Sequence, residues 1–417
     1  MKAMPNARSP VVLPALLLAF ALLPAVVVAA EEARLTESEA LAAAFVRPEA
    51  QARWGAETRR AQAGLDRART WSNPELGFSR ERFDDSPGVP TERSLVLSQA
   101  FELSGRRGLE IDAARLGLDA AQSGVVSAQA DTKAAVLRRF HERVLAEARV
   151  QAQAARRDEF AALAETAARR RAAGDLSGLE ARRIELRLAE AEVEQARRLG
   201  EQTQARIALA VLVGEALARR PLAATPLPSA LAPPVASTDA TAAPALRFAQ
   251  TRRDAAEAQA RAARRWSLPL SVGAGLRRTE VAGVRDDAAV LEFSLPLPLF
   301  DRRRAEAGFA AAELALAEAD LWQAEQQVPA LRAAAEADAR RLLADLQALQ
   351  SQRLPAAERM AASARRAYAE GELELVELLD ALDARAALVD AALELEHRTR
   401  LALIELERLS PPSFPTE

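Results

Sequence analysis

Three short stretches of this chain occur twice, in the same order and at almost the same spacing. "WSNP" at Trp71–Pro74 returns as "WSLP" at Trp266–Pro269, 195 residues on. "LSQAFELSGRR" at 97–107 returns as "FSLPLPLFDRR" at 293–303, and "AGDLSGLEARR" at 173–183 answers "EGELELVELLD" at 370–380. Ordered anchors at a nearly fixed offset are the mark of an internal repeat, so the fold has to be built from two copies of one unit.

Each copy sets strand-like stretches into a chain that otherwise favours helix. In the second copy Leu268, Leu270, Val272, Ala274 and Leu276 alternate with small or polar residues, and Leu291, Phe293, Leu295, Leu297 and Leu299 alternate with Glu292, Ser294, Pro296 and Pro298. The first copy offers Leu76 and Phe78, then Leu95, Leu97, Phe101 and Leu103. Period-two alternation with one apolar face is the pattern of a transmembrane β-strand. Trp71 and Trp266 open the first strand of each copy, where a membrane-interface aromatic would sit. The stretches "DDSPGVPT" and "EVAGVRDD" read as polar loops between the strands. A soluble hairpin pair capping a helical bundle is the competing reading.

The remainder is rich in Ala, Leu, Arg and Glu; charged residues make up 28% and aromatics 4%, which suits long helices packed through small residues. Thr36 and Glu39 have capping-box spacing, so a helix is expected from there to about Arg69. Helix is expected again from Leu103 to about Leu212 with a soft break near Gly174, from about Ala245 to Arg265, and from Asp301 to Leu409 with an interruption at Pro355. Leu375, Leu382 and Val389 form a seven-residue row, and Leu379, Ala386 and Leu393 a second, as in a coiled-coil seam. A helix of about 65 residues is about 100 Å long, far more than a globular domain uses.

Lys2 and Arg8 precede the apolar run "VVLPALLLAFALLPAVVVAA", which ends in small residues at Val28 and Ala30. This is the plan of a secretory signal peptide, with a membrane anchor as the competing reading. The expected organisation is a signal peptide over 1–30 and a first repeat over 31–220 with strands 74–84 and 93–103. A Pro-rich connector over 221–244 leads to a second repeat over 245–410 with strands 267–279 and 288–299, and a tail over 411–417 follows.

Several functions are excluded. Net charge is −3, which gives no electrostatic case for nucleic acid. There is no cysteine, and the two histidines, His141 and His397, lie alone in helical stretches and read as surface or packing residues. No nucleophile–base pair, phosphate loop or metal cluster stands out, so the chain is read as a non-enzyme without cofactor or metal site. Four strands cannot close a barrel, and an open edge in lipid leaves backbone groups unsatisfied. Three chains would supply twelve strands, and their helices would extend that barrel as a hollow bundle. The expected fold class is therefore mainly α with a small transmembrane β part: a trimeric α-barrel of long coiled-coil helices plus a 12-stranded β-barrel.

The duplicated plan, the transitions "LSQAFELSGRR" and "FSLPLPLFDRRR", and the stretch "AYAEGELELVELLDALDARAAL" resemble the TolC-like outer-membrane efflux proteins. "PLPLFDRR" and the Ala/Arg-rich helices look most like the heavy-metal branch of resistance–nodulation–division systems. Many members of that branch carry a lipidated cysteine, which this chain lacks. The resemblance implies a homotrimeric, passive, gated duct in the outer-membrane lipid of a Gram-negative bacterium, with a long periplasmic extension. It also implies a periplasmic membrane-fusion adaptor and an inner-membrane pump as partners, with divalent heavy-metal cations or drugs as cargo. A type I protein-secretion channel, or a structural periplasmic coiled-coil protein, are the alternatives. Counted from the family's tip glycine, Glu377 and Asp380 match acidic pore-facing gate positions, and Glu180 and Arg183 are their first-copy equivalents, with Arg183 a partner for Asp380 across the tip. Ser104, Gly105, Pro296, Pro298 and Asp301 are the residues expected to turn strand into helix, Pro296 and Pro298 by ending the ladder and Asp301 as a helix cap.

Overall fold

The structure is a computed structural model that describes residues 34–82, 91–223, 225–228, 243–297 and 299–410. The expected signal peptide, the loop 83–90, most of the connector, Pro298 and the tail 411–417 lie outside the described residues.

Helices α1 (Glu37–Val46) and α2 (Pro48–Arg69) replace the single helix expected from Thr36 to Arg69. Thr36 and Glu39 do form the capping box, but Pro48 has no N–H to donate and forces Arg47 out of the helical region, to φ −57 and ψ 132. Strands β1 (Glu75–Arg82) and β2 (Thr91–Glu102) follow, then α3 (Arg106–Ala173), α4 (Gly178–Val213) and the short α5 (Glu215–Ala218). The second half runs through α6 (Pro244–Arg264), β3 (Pro269–Val281), β4 (Val284–Ser294), α7 (Arg304–Ala348), a π-helical segment (Leu349–Arg353), α8 (Leu354–Glu370) and α9 (Leu375–Arg408). At 68 residues, α3 is about 100 Å long.

The four strands form one antiparallel sheet in the order β1-β2-β3-β4, open at β1 and at β4. Three departures from the expected strands have local causes. The polar loop at 280–287 is a two-residue turn, with Val281 paired to Val284 and positive φ at Ala282 (48) and Gly283 (86), the backbone that a tight hairpin requires. The β4 ladder stops at Ser294, five residues before the expected Leu299, because Pro296 cannot donate to a neighbour. Strands β1 and β3 begin at Glu75 and Pro269, so Trp71 and Trp266 stand just before them.

Below the sheet the helices form a row in which α2 packs on α3, α3 on α6 and α6 on α7. Farther along, α4 packs on α3, α3 on α9, and α9 on α7 and α8. The buried residues divide into separate clusters along this length. One, at the middle, joins Leu35, Ala40, Val136, Phe140, Leu209 and Val213. Another, at the end away from the sheet, joins Phe160, Ile184, Ala361, Leu375, Leu378 and Leu382. Leu375, Leu379 and Leu382 of the expected seam are buried. Unlike α3, the second long helix is interrupted, by the π-helical turn ahead of Pro355, while Pro329 lies inside α7 without ending it.

Candidate channel wall and its two ends

Strand register sorts the sheet into two faces. On one face Phe78, Leu95 and Leu276 lie side by side, and next to them Leu76, Leu97, Ala274 and Leu291. Every large member of these rows is exposed: Leu76 and Phe78 by 68%, Leu97 by 55%, Leu291 by 65%. On the other face Glu75, Ser98, Gly273 and Glu292 form one row, and Ser79, Ser94, Arg277 and Ala288 another. Glycine is required at 275, where a Cβ would land on the Leu95 carbonyl oxygen and 2.7 Å from Val96 Cα. The alternation in the sequence marked the faces but not this close approach, although a glycine inside a strand is its usual signal.

The sheet is fastened to the helices by Glu102. Its carboxylate accepts hydrogen bonds from Leu268 N–H (2.7 Å), Ser267 Oγ (2.5 Å) and Ser104 N–H (3.1 Å), tying the end of β2 to the start of β3. Ser104 is buried and its Oγ accepts from Arg106 N–H; Gly105, at φ 76, then turns the chain into α3. The second junction is longer and differs from the expectation. Pro296 lies past the ladder, and Asp301 does not cap α7: its Oδ1 accepts from Arg303 N–H at 2.7 Å, and α7 starts only after Arg303, which takes the left-handed conformation at φ 57. Trp71 is half exposed, edge-on to Phe101, with the Arg107 guanidinium 4.2 Å over its ring; Trp266 is likewise half exposed.

At the far end the two helix breaks have one design. Gly174 and Gly371, at φ 84 and 80, end α3 and α8, and the next residue's N–H returns to the carbonyl of Arg170 or Ala367, the closure that leaves fewest orphan carbonyls. Glu180 and Glu377 begin the following helices as capping residues: Glu180 accepts from Ser177 N–H and Oγ, and Glu377 from Glu374 N–H. The Ser177 hydroxyl and N–H hold the Glu180 carboxyl below the usual range. Arg183 and Asp380 are exposed, and among the described residues neither carries an ion pair within the chain.

Sequence reading missed the ion pairs that clamp this end. Asp383 of α9 lies 2.6 Å from Arg156 of α3 and 3.2 Å from Arg187 of α4. Glu159 of α3 faces Arg365 of α8 and Arg385 of α9, at 3.0 and 2.5 Å. Arg149 reaches both Asp390 and Glu394. Only tertiary packing brings these residues together.

At the middle, the N-terminal segment is clasped to the bundle. Leu35 pairs with Leu222, and the buried Arg143 donates to the carbonyls of Ala218 and Arg220. Glu37 Oε1 lies 3.0 Å from Nε2 of the buried His141 and 3.9 Å from Arg400. The bond with His141 holds the Glu37 carboxyl below its usual range, against the opposing effect of burial. Burial pushes the His397 imidazole down. Among the described residues no group of carboxylates and histidines is arranged to hold a metal, and no helix is long and apolar enough to cross a membrane.

An open four-stranded sheet, apolar on one side and standing on helices of this length, is the architecture of TolC-like channel subunits. Residues 239–410 match the outer membrane efflux protein family. It is similar to the cobalt-zinc-cadmium resistance protein CzcC of Cupriavidus metallidurans, with 28% identity over 247 residues. It is also similar to the nickel-cobalt-cadmium resistance protein NccC of Alcaligenes xylosoxydans xylosoxydans, with 27% identity over 273 residues. The first match covers 58% of this chain and 58% of CzcC, the second 64% of this chain and 61% of NccC, so the chain spans about three-fifths of the length of these relatives. A crystal structure of CusC superposes with a TM-score of 0.76 at 20% identity, covering 90% of this chain and 92% of that one, which speaks for the fold.

Proposed function

We propose that three copies of this chain form a gated outer-membrane duct, with the four strands of each completing a 12-stranded barrel. The observation that carries the reading is the exposed apolar face of a sheet open at both edges. In water that face has nothing to cover it, whereas in a bilayer it meets lipid, and the open edges close when β4 of one copy pairs with β1 of the next. The helix row supports the same closure. Leu179, Leu186, Val193 and Ile207 lie at multiples of seven along α4, all exposed, and Phe309, Leu316 and Trp322 are exposed on α7 near the other end of the row. A rotation that repeats one contact three times buries both edges.

The polar sheet face and the cleft of about 950 Å³ beneath it, walled by Ala61, Gly64, Ala113 and Gly117 with Arg60 and Glu110, suit a water-filled lumen. Glu377 and Asp380 would form acidic rings at the periplasmic tip, with Glu180 and Arg183 beside them. The duct is passive; a periplasmic adaptor and an inner-membrane pump supply direction and energy. The names of CzcC and NccC favour divalent metal cations as cargo. The test is to fold the full chain into planar bilayers and to measure its native mass. A trimer giving discrete single-channel steps supports the reading, and a monomer without conductance overturns it.

A further inference from the structure

Between β4 and α7 the described residues 295–297 and 299–303 lie outside sheet and helix. Leu297 and Leu299 are each 65% exposed and Phe300 is 98% exposed, the most open large apolar side chain described. The stretch is locally tied: Leu299 N–H donates to the Leu297 carbonyl, and Asp301 Oδ1 accepts from Arg303 N–H. Three arginines follow. Arg303 pairs with Glu306, so the two nearest carboxylates, Asp301 and Glu306, are both turned to residue 303. Arg302 and Arg304 are exposed and, among the described residues, make no ion pair. An apolar anchor beside two unmatched guanidiniums is the composition of a membrane-interface site, and the planar guanidinium fits phosphate oxygens in pairs.

We propose that this junction binds the phosphate headgroup of an anionic glycerophospholipid, with Leu299 and Phe300 set among the acyl chains and Arg302 and Arg304 on the phosphate. The inference rests on the membrane reading of the sheet and adds a specific lipid contact at its helical rim. A second copy covers the patch less well. Ring closure sets this junction beside the neighbour's α2–β1 junction, whose last helical turn carries Arg67 and Arg69. Basic would then face basic. Over the four segments at this end of the sheet, 64–75, 102–110, 264–269 and 301–306, nine arginines stand against six carboxylates. An anion supplied from outside the chain relieves that excess, and a phospholipid supplies it together with the apolar cover that Phe300 lacks.

The test uses the full chain folded into vesicles of phosphatidylcholine alone or mixed with phosphatidylglycerol, then extracted gently and weighed by native mass spectrometry. The wild-type assembly should retain phosphatidylglycerol in preference to phosphatidylcholine. Each guanidinium at an anionic surface is worth about fivefold, so Arg302→Gln with Arg304→Gln should lose about thirtyfold of that preference. Arg302→Lys with Arg304→Lys should keep most of it, and Phe300→Ser should weaken retention of both lipids. Equal retention of the two lipids by the wild type, or an unchanged preference in the double Gln variant, overturns the proposal while the membrane reading stands. Release of monomers by the double Gln variant, with no lipid retained by the wild type, assigns the patch to the neighbouring copy. Failure of the wild type to insert into either vesicle rejects the membrane reading itself.

Discussion

Gly174 and Gly371, 197 positions apart, hold the same left-handed conformation, and each ends a helix whose successor opens on a glutamate turned back to cap it. The space around both glycines is open, so a methyl group there meets nothing. Backbone strain is then the whole effect. Gly174→Ala and Gly371→Ala should each cost about 1–2 kcal/mol in a denaturant titration, and Gly→Asn less, because asparagine tolerates this region.

How much of this was legible in the sequence depends on how local the cause is. Alternation at Leu291 and Phe293, the Thr36–Glu39 capping box and the break at Gly174 are each set within a few residues, and the structure has them. Pro48 splits the first helix because of its missing N–H, but it sits at a helix start that composition alone cannot tell from an interior. The second junction is longer than the pattern suggests because Leu295, Leu297 and Leu299 continue the apolar alternation after the backbone has left the ladder. The Asp383 clamp and the Glu37–His141 pair join residues more than a hundred positions apart and leave no trace in spacing.

Leu97 and Ser98 are neighbours in β2 but face opposite sides, with Leu97 in the row of Leu76, Ala274 and Leu291 and Ser98 beside Glu75 and Gly273. An arginine on a lipid-facing strand position near mid-membrane costs about 2–4 kcal/mol, and a lumen position does not carry that penalty. Leu97→Arg should therefore abolish heat-modifiable migration of the folded protein, while Ser98→Arg leaves it intact. Equal effects of the two substitutions would remove the assignment of faces.

Gly275 tests the close approach of β2 and β3. Valine at this position has to displace the Leu95–Val96 backbone, at a cost of about 3 kcal/mol or more. At Gly77 a Cβ meets only the Val96 carbonyl, at 3.8 Å, so Gly77→Ala should stay within about 1 kcal/mol of wild type. Denaturant midpoints of the two variants in the same lipid compare them directly.

The clasp at the middle of the bundle should loosen in acid. His397 has its imidazole pushed below the ordinary 6.5 by burial, so the unfolded chain takes up that proton first, and stability falls as pH drops below about 6.5 toward the folded value. Glu37 is held below the ordinary 4.5 by His141, so its contribution is complete above that value and is lost as pH falls through the folded one. His397→Leu should flatten the first part of a stability–pH profile, and Glu37→Gln the second. A wild-type profile that is level from about pH 7 to about pH 4 contradicts both assignments.

The tip carboxylates can be separated by what each already does. Glu377 accepts the Glu374 N–H at the start of α9, so Glu377→Ala removes a cap and should cost about 1 kcal/mol whatever its effect on conduction. Asp380 is one turn further along the same helix face, is exposed, and has no ion pair within the chain among the described residues. Asp380→Ala should leave unfolding unchanged. If three such side chains ring the tip they draw cations, and if each also pairs with Arg183 of the next copy its loss loosens the tip, so the same variant should weaken block by divalent cations and raise single-channel conductance. Arg183→Ala should act in the same direction on conductance if Arg183 of one copy pairs with Asp380 of the next. Asp380→Ala with conductance and divalent block both as in wild type would place the gate elsewhere, and the Asp383 clamp to Arg156 and Arg187 would become the position to test.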